Sequence, residues 1–385
     1  MKVHVFLAQL ESLPKRNNLF IVEILKRYIV KQKRFKLILF FIPYHHIGGA
    51  ERVHLEIIKS LKYKPIVIFD RTDGTVLSKE YLKNAHCFFV TNQKRKKILI
   101  YLIQIISYLL PLTLFGCNSG FYYQILSKIK NNVTTIDLTH AFSFPEHGME
   151  ITSLKYIHLL DNRVVINNKT LEDYQQLYAE NNIDDNYLDR FKVIPNGVQI
   201  GEFMSDTIFS RFNDFTIGFV GRNSKEKRPE VFFELVNCIE NSNVKAKVIG
   251  DNFNDFKENY KQVKYFEGCN SPELVRKEFS EISLLIIPSS REGFPLVIME
   301  AMELGIPVIS INVGSVSEHV INDLNGYLSV DNSESEFIKF ALNKILLLSS
   351  NKELYSRLSI NAREYAVNNF DLDTFQQKYR SLFYD

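Results

Sequence analysis

Two acidic residues, Glu292 and Glu300, stand eight positions apart in the stretch 289–305, SSREGFPLVIMEAMELG. Apolar residues 283–288 precede it and read as a buried strand, and the stretch then runs into a helix with Pro295 suited to the first helical position. The two carboxylates therefore belong at the carboxyl end of a strand, one in the loop and one about a turn into the helix. That edge is where open α/β sheets bind ligands. Ionised Glu300 only accepts hydrogen bonds, which suits a vicinal diol such as that of ribose. Glu292 could hold sugar hydroxyls or offset charge developing at a reacting carbon. The N–H groups of Leu296 and Val297 open the helix and could take a phosphate oxygen, whereas Pro295 has no N–H to give.

Three further loops follow strands. Gly48 and Gly49 precede a helix, where glycine lets backbone N–H groups approach a phosphate, although two glycines there serve equally well as a turn. Arg222 and Lys227 lie in the loop 221–228 and could clamp a diphosphate, Arg as a fork and Lys as a point charge; a solvated basic loop is the plainer alternative. His140 ends a strand; a lone histidine is more often structural than catalytic, although the strand-end position raises the functional share.

The elements that must position these residues form a βαβ rhythm. Strand 36–42, glycine loop 47–50, helix 51–61 and strand 65–69 open it, followed by strands at 112–117 and 133–138, a helix at 121–130 and one more strand over 156–168. Turn formers at 195–206 suggest a hinge. The rhythm restarts with strand 216–220, a helix opened by Pro229, and strands at 246–249, 283–287 and 308–311. Asp373 and Gln376 have capping-box spacing for a terminal helix, and Asp371-Leu372-Asp373 reads as capping at that helix start. The expectation is an α/β chain of two doubly wound, Rossmann-like domains over 35–200 and 201–370, with an extension over 1–34 and a C-terminal helix over 371–385 that packs back toward the first domain.

At 385 residues the chain can bury two cores, and an apolar fraction of 45% excludes a disordered protein. Its formal charge of +3 gives no case for nucleic acid. Basic residues are clustered, however. Ile21, Ile24, Leu25, Tyr28 and Ile29 oppose Glu23, Lys26, Arg27, Lys33 and Arg34 on a helical wheel, a pattern for docking on the protein's own surface or on a membrane. Lys94, Arg95, Lys96 and Lys97 precede the apolar run 98–115, which Gln104, Ser107 and Pro111 interrupt, so a helix of about a dozen residues followed by a strand is expected rather than a span. That cluster could rest on anionic lipid or simply be solvated. Cys87, Cys117, Cys238 and Cys269 have no metal-ligand spacing, and the first residues lack a small-residue cleavage site, so reduced thiols in the cytoplasm are expected.

Five segments together resemble the retaining, nucleotide-sugar-dependent glycosyltransferases of family 4, which have the GT-B fold. They are Ile47-Gly48-Gly49-Ala50-Glu51-Arg52-Val53; Val193-Ile194-Pro195-Asn196-Gly197-Val198; Phe219-Val220-Gly221-Arg222 with Lys227; Pro288 to Pro295 with Glu300-Ala301-Met302; and Gly314-Ser315-Val316-Ser317-Glu318 with Asn325-Gly326. The resemblance implies two facing domains, the first for the acceptor and the second for the donor. It assigns Arg222 and Lys227 to the diphosphate, Glu300 to the ribose, Glu292 to the donor sugar, and Gly48 and Gly49 to closing over the phosphate. Gly293, Phe294, Leu296 and Val297 complete the donor-binding set, and His140 corresponds to a first-domain histidine near the donor sugar. No metal or other cofactor is implied, because cations and helix dipoles stabilise the leaving diphosphate. Two positions depart from the family pattern: Pro295 replaces a second glycine, and Arg228 follows Lys227 where glycine is common.

The function so implied is sugar transfer, of hexosyltransferase type, from a UDP-, GDP- or ADP-sugar to a glycan or lipid-linked acceptor in surface polysaccharide or lipopolysaccharide assembly. The expected location is the cytoplasm, with peripheral contact at the inner face of an anionic membrane. The alternative is a non-catalytic GT-B-like subunit that binds nucleotide or glycan for a partner enzyme.

Overall fold

The computed structural model of the chain describes residues 36–45, 48–71, 79–129, 132–142, 148–267, 272–331 and 333–384. The extension 1–34 with its amphipathic pattern, Ile47 of the glycine loop and Cys269 lie outside them. The chain falls into two compact units; the second gathers 140–142, 165–180 and everything from 193 onward, and the first the remainder.

The first sheet has seven strands: β1 (Leu37–Ile42), β2 (Ile66–Phe69), β3 (His86–Phe89), β4 (Leu112–Cys117), β5 (Val133–Thr139), β6 (Asn162–Val165) and β7 (Phe191–Val193), in the order β3-β2-β1-β4-β5-β6-β7. Between them run α1 (Gly49–Ser60), α2 (Lys79–Asn84), α3 (Gln93–Leu109), α4 (Gly120–Leu126), α5 (Met149–Ser153) and α6 (Asn168–Glu180). β1 is LILFFI, buried at every position, and pairs parallel with β2 and β4. A strand without apolar–polar alternation is one covered on both faces. Phe40 and Phe115 are register partners with ring centroids 4.6 Å apart. Each such fully buried side chain stabilises the sheet by roughly 1.5–3 kcal/mol.

The second sheet runs β10-β9-β8-β11-β12-β13, from β8 (Thr216–Val220), β9 (Lys245–Ile249), β10 (Lys264–Phe266), β11 (Leu284–Ile287), β12 (Val308–Ile311) and β13 (Gly326–Ser329). Its helices are α7 (Asp206–Asn213), α8 (Pro229–Cys238), α9 (Asn254–Asn259), α10 (Pro272–Ser280), α11 (Leu296–Glu303), α12 (Glu334–Ser350), α13 (Lys352–Asn369) and α14 (Leu372–Tyr384). All its strand pairs are parallel. Strand order reverses between β8 and β11, where Leu284 pairs with Ile217 and Leu285 with Gly218. In open α/β sheets ligands bind outside the carboxyl ends of the strands at a switch point of this kind.

Several expectations needed correction. The strand expected over 156–168 is a 3-10 turn at Leu154–Leu159, then β6, then the start of α6. The turn is enforced by the Asp161 carboxylate, which accepts from the Thr135 N–H at 2.7 Å, and by Arg190, which donates to the Leu160 carbonyl at 2.6 Å. α1 begins two residues earlier than expected, because extended Gly48 takes the cap position. α3 takes in the basic cluster and reaches 17 residues before Pro111 stops it. No helix among the described residues is long and apolar enough to cross a membrane. α14 is capped by Asp371, whose carboxylate accepts from the Thr374 N–H at 2.9 Å, rather than by Asp373; the bridge between Val198 and Asp371 holds Asp371 in place as the cap. The expected connector therefore runs along the second unit, with the Val198 N–H on the Phe370 carbonyl at 2.8 Å and the Val198 carbonyl accepting from Leu372 at 3.1 Å.

A buried acid ties that connector to the site helix. Glu303, at the end of α11, is 1% exposed and accepts from the Gly201 N–H at 2.9 Å, Arg276 at 2.9 Å and Arg363 at 2.8 Å. Burial alone would raise its pKa, but these donors hold the carboxyl below its ordinary value. Glu303→Ala removes the buried acceptor of sheltered Arg363, while half-exposed Arg276 can turn to water, and should cost about 3 kcal/mol in urea unfolding. Because its folded pKa lies below the unfolded one, the stabilisation is present at neutral pH and lost as pH falls below the usual carboxylate range. The Glu303→Ala protein should accordingly lose less stability than the parent between neutral and acid pH.

Candidate functional site

The switch point of the second sheet sets two loops side by side. One leaves β8 and ends at Arg228, the cap of α8; the other leaves β11 and ends at Pro295, the cap of α11. They are laced by three hydrogen bonds to backbone carbonyls: the Ser290 N–H and Oγ to Glu226 at 2.9 and 3.2 Å, and Arg228 Nε to Pro288 at 2.6 Å. The result is direct contact between the Lys227 ammonium and the Glu292 carboxylate. Glu292 keeps only 9% of its side chain exposed and Lys227 23%, so the pair is sheltered from the screening that makes surface pairs weak. Arg222 differs: 74% of its side chain is exposed, and it reaches Glu226 at 3.4 Å. The two cations expected to act alike are thus one held and one solvated. Arg228, at the place where glycine is common, adopts the left-handed conformation at φ 46° and ψ 56°. That backbone is strained for a residue with a Cβ, and the bond to the Pro288 carbonyl helps offset it.

Gly293 is where a third segment enters. A Cβ there would lie 2.6 Å from the His140 carbonyl oxygen and 3.0 Å from the Ala141 Cβ. Arg291 donates to the Phe142 carbonyl at 2.8 Å from the same loop. His140, read as a residue of the first domain, therefore groups with the second unit, its backbone pressed on the loop that carries Glu292. Burial pushes its imidazole down to about 4, so the ring is neutral at physiological pH. On its other side, the Gly293 carbonyl accepts from the Ser315 N–H at 2.9 Å and Oγ at 2.8 Å, while Gly314 sits at φ 58° against the Glu292 carbonyl. Phe294 is buried, its ring 4.5 Å from His319 and 5.6 Å from Phe370. His319 Nδ1 lies 3.0 Å from the Tyr365 hydroxyl, and burial lowers its pKa.

Pro295 caps α11 rather than occupying its first turn, so the helix opens one residue later than expected, at Leu296. The Ile298 N–H turns back to the Pro295 carbonyl at 3.0 Å, which leaves Leu296 and Val297 as the N–H groups at the positive end of the helix. Glu300 lies a turn further along, half-buried. Arg222, Lys227, Glu292, Gly293, Phe294, Leu296, Val297 and Glu300 are all on the β8 and β11 loops or α11 of the second unit, joined by the backbone of His140. Gly48 and Gly49 belong to the first unit, where Gly48 caps α1 and accepts from the Arg52 N–H at 3.1 Å.

Residues given no role from the sequence hold these parts in place. Ser290 and Ser315 fix the loop from two directions, and Glu318 accepts from the Asn168 and Lys169 N–H groups at 3.1 and 2.8 Å, setting a negative charge on the N-terminus of α6. Ser315 follows a glycine at a strand end, a signal that was legible. The pairing of Glu318 with a helix 150 positions away had none.

Residues 205–365 match the family described as Glycosyl transferases group 1. An uncharacterized glycosyltransferase of Methanocaldococcus jannaschii is 32% identical over 201 residues, 49% of this chain and 52% of that protein, so the chain spans about half of that relative's length. The UDP-Gal:alpha-D-GlcNAc-diphosphoundecaprenol alpha-1,3-galactosyltransferase of Escherichia coli is 28% identical over 294 residues, 69% of this chain and 73% of that one. Among solved structures, HepE of Anabaena in complex with UDP-glucose is similar with a TM-score of 0.70 at 19% identity, covering 90% of this chain and 99% of that one. The two parallel-sheet units and these likenesses make this a protein of GT-B fold, whose residues 205–365 match a group 1 glycosyl transferase domain.

Proposed function

We propose that the chain is a retaining glycosyltransferase of family 4, of hexosyltransferase type. In this reading it moves a sugar from a nucleoside diphosphate to an acceptor hydroxyl during assembly of a surface polysaccharide, lipopolysaccharide or other lipid-linked glycan. The observation that carries the reading is the sheltered contact of Lys227 with Glu292, next to the opening turn of α11. A lysine has three donors, so an ammonium held by Glu292 on one side still has two for a diphosphate. Leaving-group charge is then met by Lys227, by Arg222 and by the Leu296 and Val297 N–H groups, preorganised where they stabilise it most. Glu300 takes the ribose hydroxyls, and Glu292 orients the donor sugar and offsets charge at its anomeric carbon without being required as a nucleophile. His140, neutral, offers a hydrogen bond rather than a charge. The UDP-glucose bound to HepE supports a nucleotide-sugar donor, and the undecaprenol acceptor in the name of the Escherichia coli relative supports a lipid-linked one. The place of action in this proposal is the cytoplasmic face of the membrane.

Thermal-shift measurements with UDP-, GDP- and ADP-sugars should single out one donor class by a ligand-dependent rise in midpoint. With that donor, Arg222→Ala and Glu292→Ala should each cut transfer about a hundredfold or more while the protein stays folded, the scale of losing one preorganised contact. Parental rates in both folded variants would refute the assigned roles, and donor binding with no turnover of the parent protein would favour the non-catalytic subunit. Gly293→Ala, which drives a methyl into the His140 carbonyl, should lower kcat on the order of a hundredfold, the effect of an ångström of misplacement, with a far smaller change in the donor-induced midpoint shift. Since cationic side chains carry the leaving group in this proposal, transfer by chelator-treated protein should proceed at the parental rate; loss of transfer that magnesium restores would remove that part of it.

A further inference from the structure

From residue 81 to residue 136 the chain carries seven Lys or Arg and no Asp or Glu. Four of those cations, Lys94, Arg95, Lys96 and Lys97, occupy the first turns of α3, which has no acid in its first turn. Lys128 stands beside the middle of the helix, its carbonyl accepting from the Gln104 amide at 2.8 Å. Leu99, Leu102, Ile103 and Ile106 are the buried face of α3. On the opposite face, at helical spacing, exposed Lys94, Lys97, Tyr101 and Tyr108 form one stripe about 21 Å long. Tyr101 is 63% and Tyr108 71% exposed.

We infer that this stripe is a docking surface for an anionic lipid bilayer. Cations at a helix N-terminus face the positive end of the macrodipole, so the cluster costs α3 stability that an anion from outside would offset. The chain's own residues 1–34 cannot be that anion, since they hold eight Lys or Arg against two Asp or Glu. A nucleic acid would favour cations along the whole stripe, whereas beyond Lys97 the stripe turns to Tyr101 and Tyr108. Lysines that reach headgroup phosphates, followed by tyrosines with apolar rings and polar tips, match the layering of a membrane interface. Lys96 is set apart, its ammonium 5.0 Å over the Phe121 ring.

The inference is tested by binding alone and does not depend on sugar transfer. The full chain is sedimented with vesicles of phosphatidylcholine alone or mixed with an equal part of phosphatidylglycerol. The expected result is binding to the mixed vesicles at low salt, little binding to phosphatidylcholine, and release at high salt. Lys94→Gln, Arg95→Gln and Lys97→Gln combined should weaken that binding about a hundredfold, close to fivefold per cation. Tyr101→Ser with Tyr108→Ser should weaken it about tenfold, by withdrawing apolar area from the interface. All five side chains are exposed, so the thermal midpoint should not fall in either variant, which separates lost docking from lost folding. The inference is overturned if the parent ignores phosphatidylglycerol vesicles at low salt, if the triple variant binds as tightly as the parent, or if a DNA duplex at matched phosphate concentration displaces the vesicles.

Discussion

The loop that carries Glu292 is constrained by the lack of room at Gly293. Its Cα faces the His140 carbonyl, and its own carbonyl is shared by the Ser315 N–H and hydroxyl. Three chain segments from different strand ends therefore meet at one residue, and none can shift without moving the others. Close packing transmits such a constraint without dissipating it. Glu292 is the immediate neighbour of this junction, so its carboxylate is placed by backbone contacts and then by Lys227. An acid fixed in that order is suited to orienting a substrate, because little reorganisation remains when charge develops.

Three glutamates of this unit show how surroundings divide one chemical group into separate tasks. Glu303 is fully buried and saturated by two guanidinium groups and a backbone N–H, which makes it a strut. Glu318 neutralises the start of α6 through backbone N–H groups. Glu292 has one ammonium partner and retains a little exposure, the only one of the three that meets both a cation and the opening of α11 in the same loop. Carboxylate count along α11 would not separate these roles, since Glu300 and Glu303 lie three positions apart on the same helix. Burial and donor count do.

Much of the fold was legible because the central strands carry their signal in composition. β1, β4, β8 and β11 are short apolar runs bounded by turn formers, and their order is constrained by the handedness of βαβ units. All four edge strands were missed: β3, β7, β10 and β13 have three or four residues, too few for a period to read, and the first three are only partly buried. The misjudged strand over 156–168 failed for another reason. Its turn depends on Asp161 and Arg190, whose partners are tens of positions away, so no local pattern announces it. At the site, spacing sufficed to select Lys227, Glu292 and the start of α11. It did not distinguish Lys227 from Arg222, because sheltering is a property of the assembled loops.

Net charge is the clearest case of a sum that conceals its parts. A formal +3 over 385 residues argues for no partner, yet it is the residue of 47 basic and 44 acidic side chains distributed unevenly. In the β8 and β11 loops, cation and acid are in contact, so folding has already given the Lys227 ammonium a counter-charge on one side. Along α3 the four clustered cations have no acid within the same stretch of chain to spend themselves on, and exposed Lys94, Arg95 and Lys97 set up a field extending about a Debye length from the surface. The same residue types thus stand in two electrostatic settings, and the difference lies in whether folding has already supplied the counter-charge.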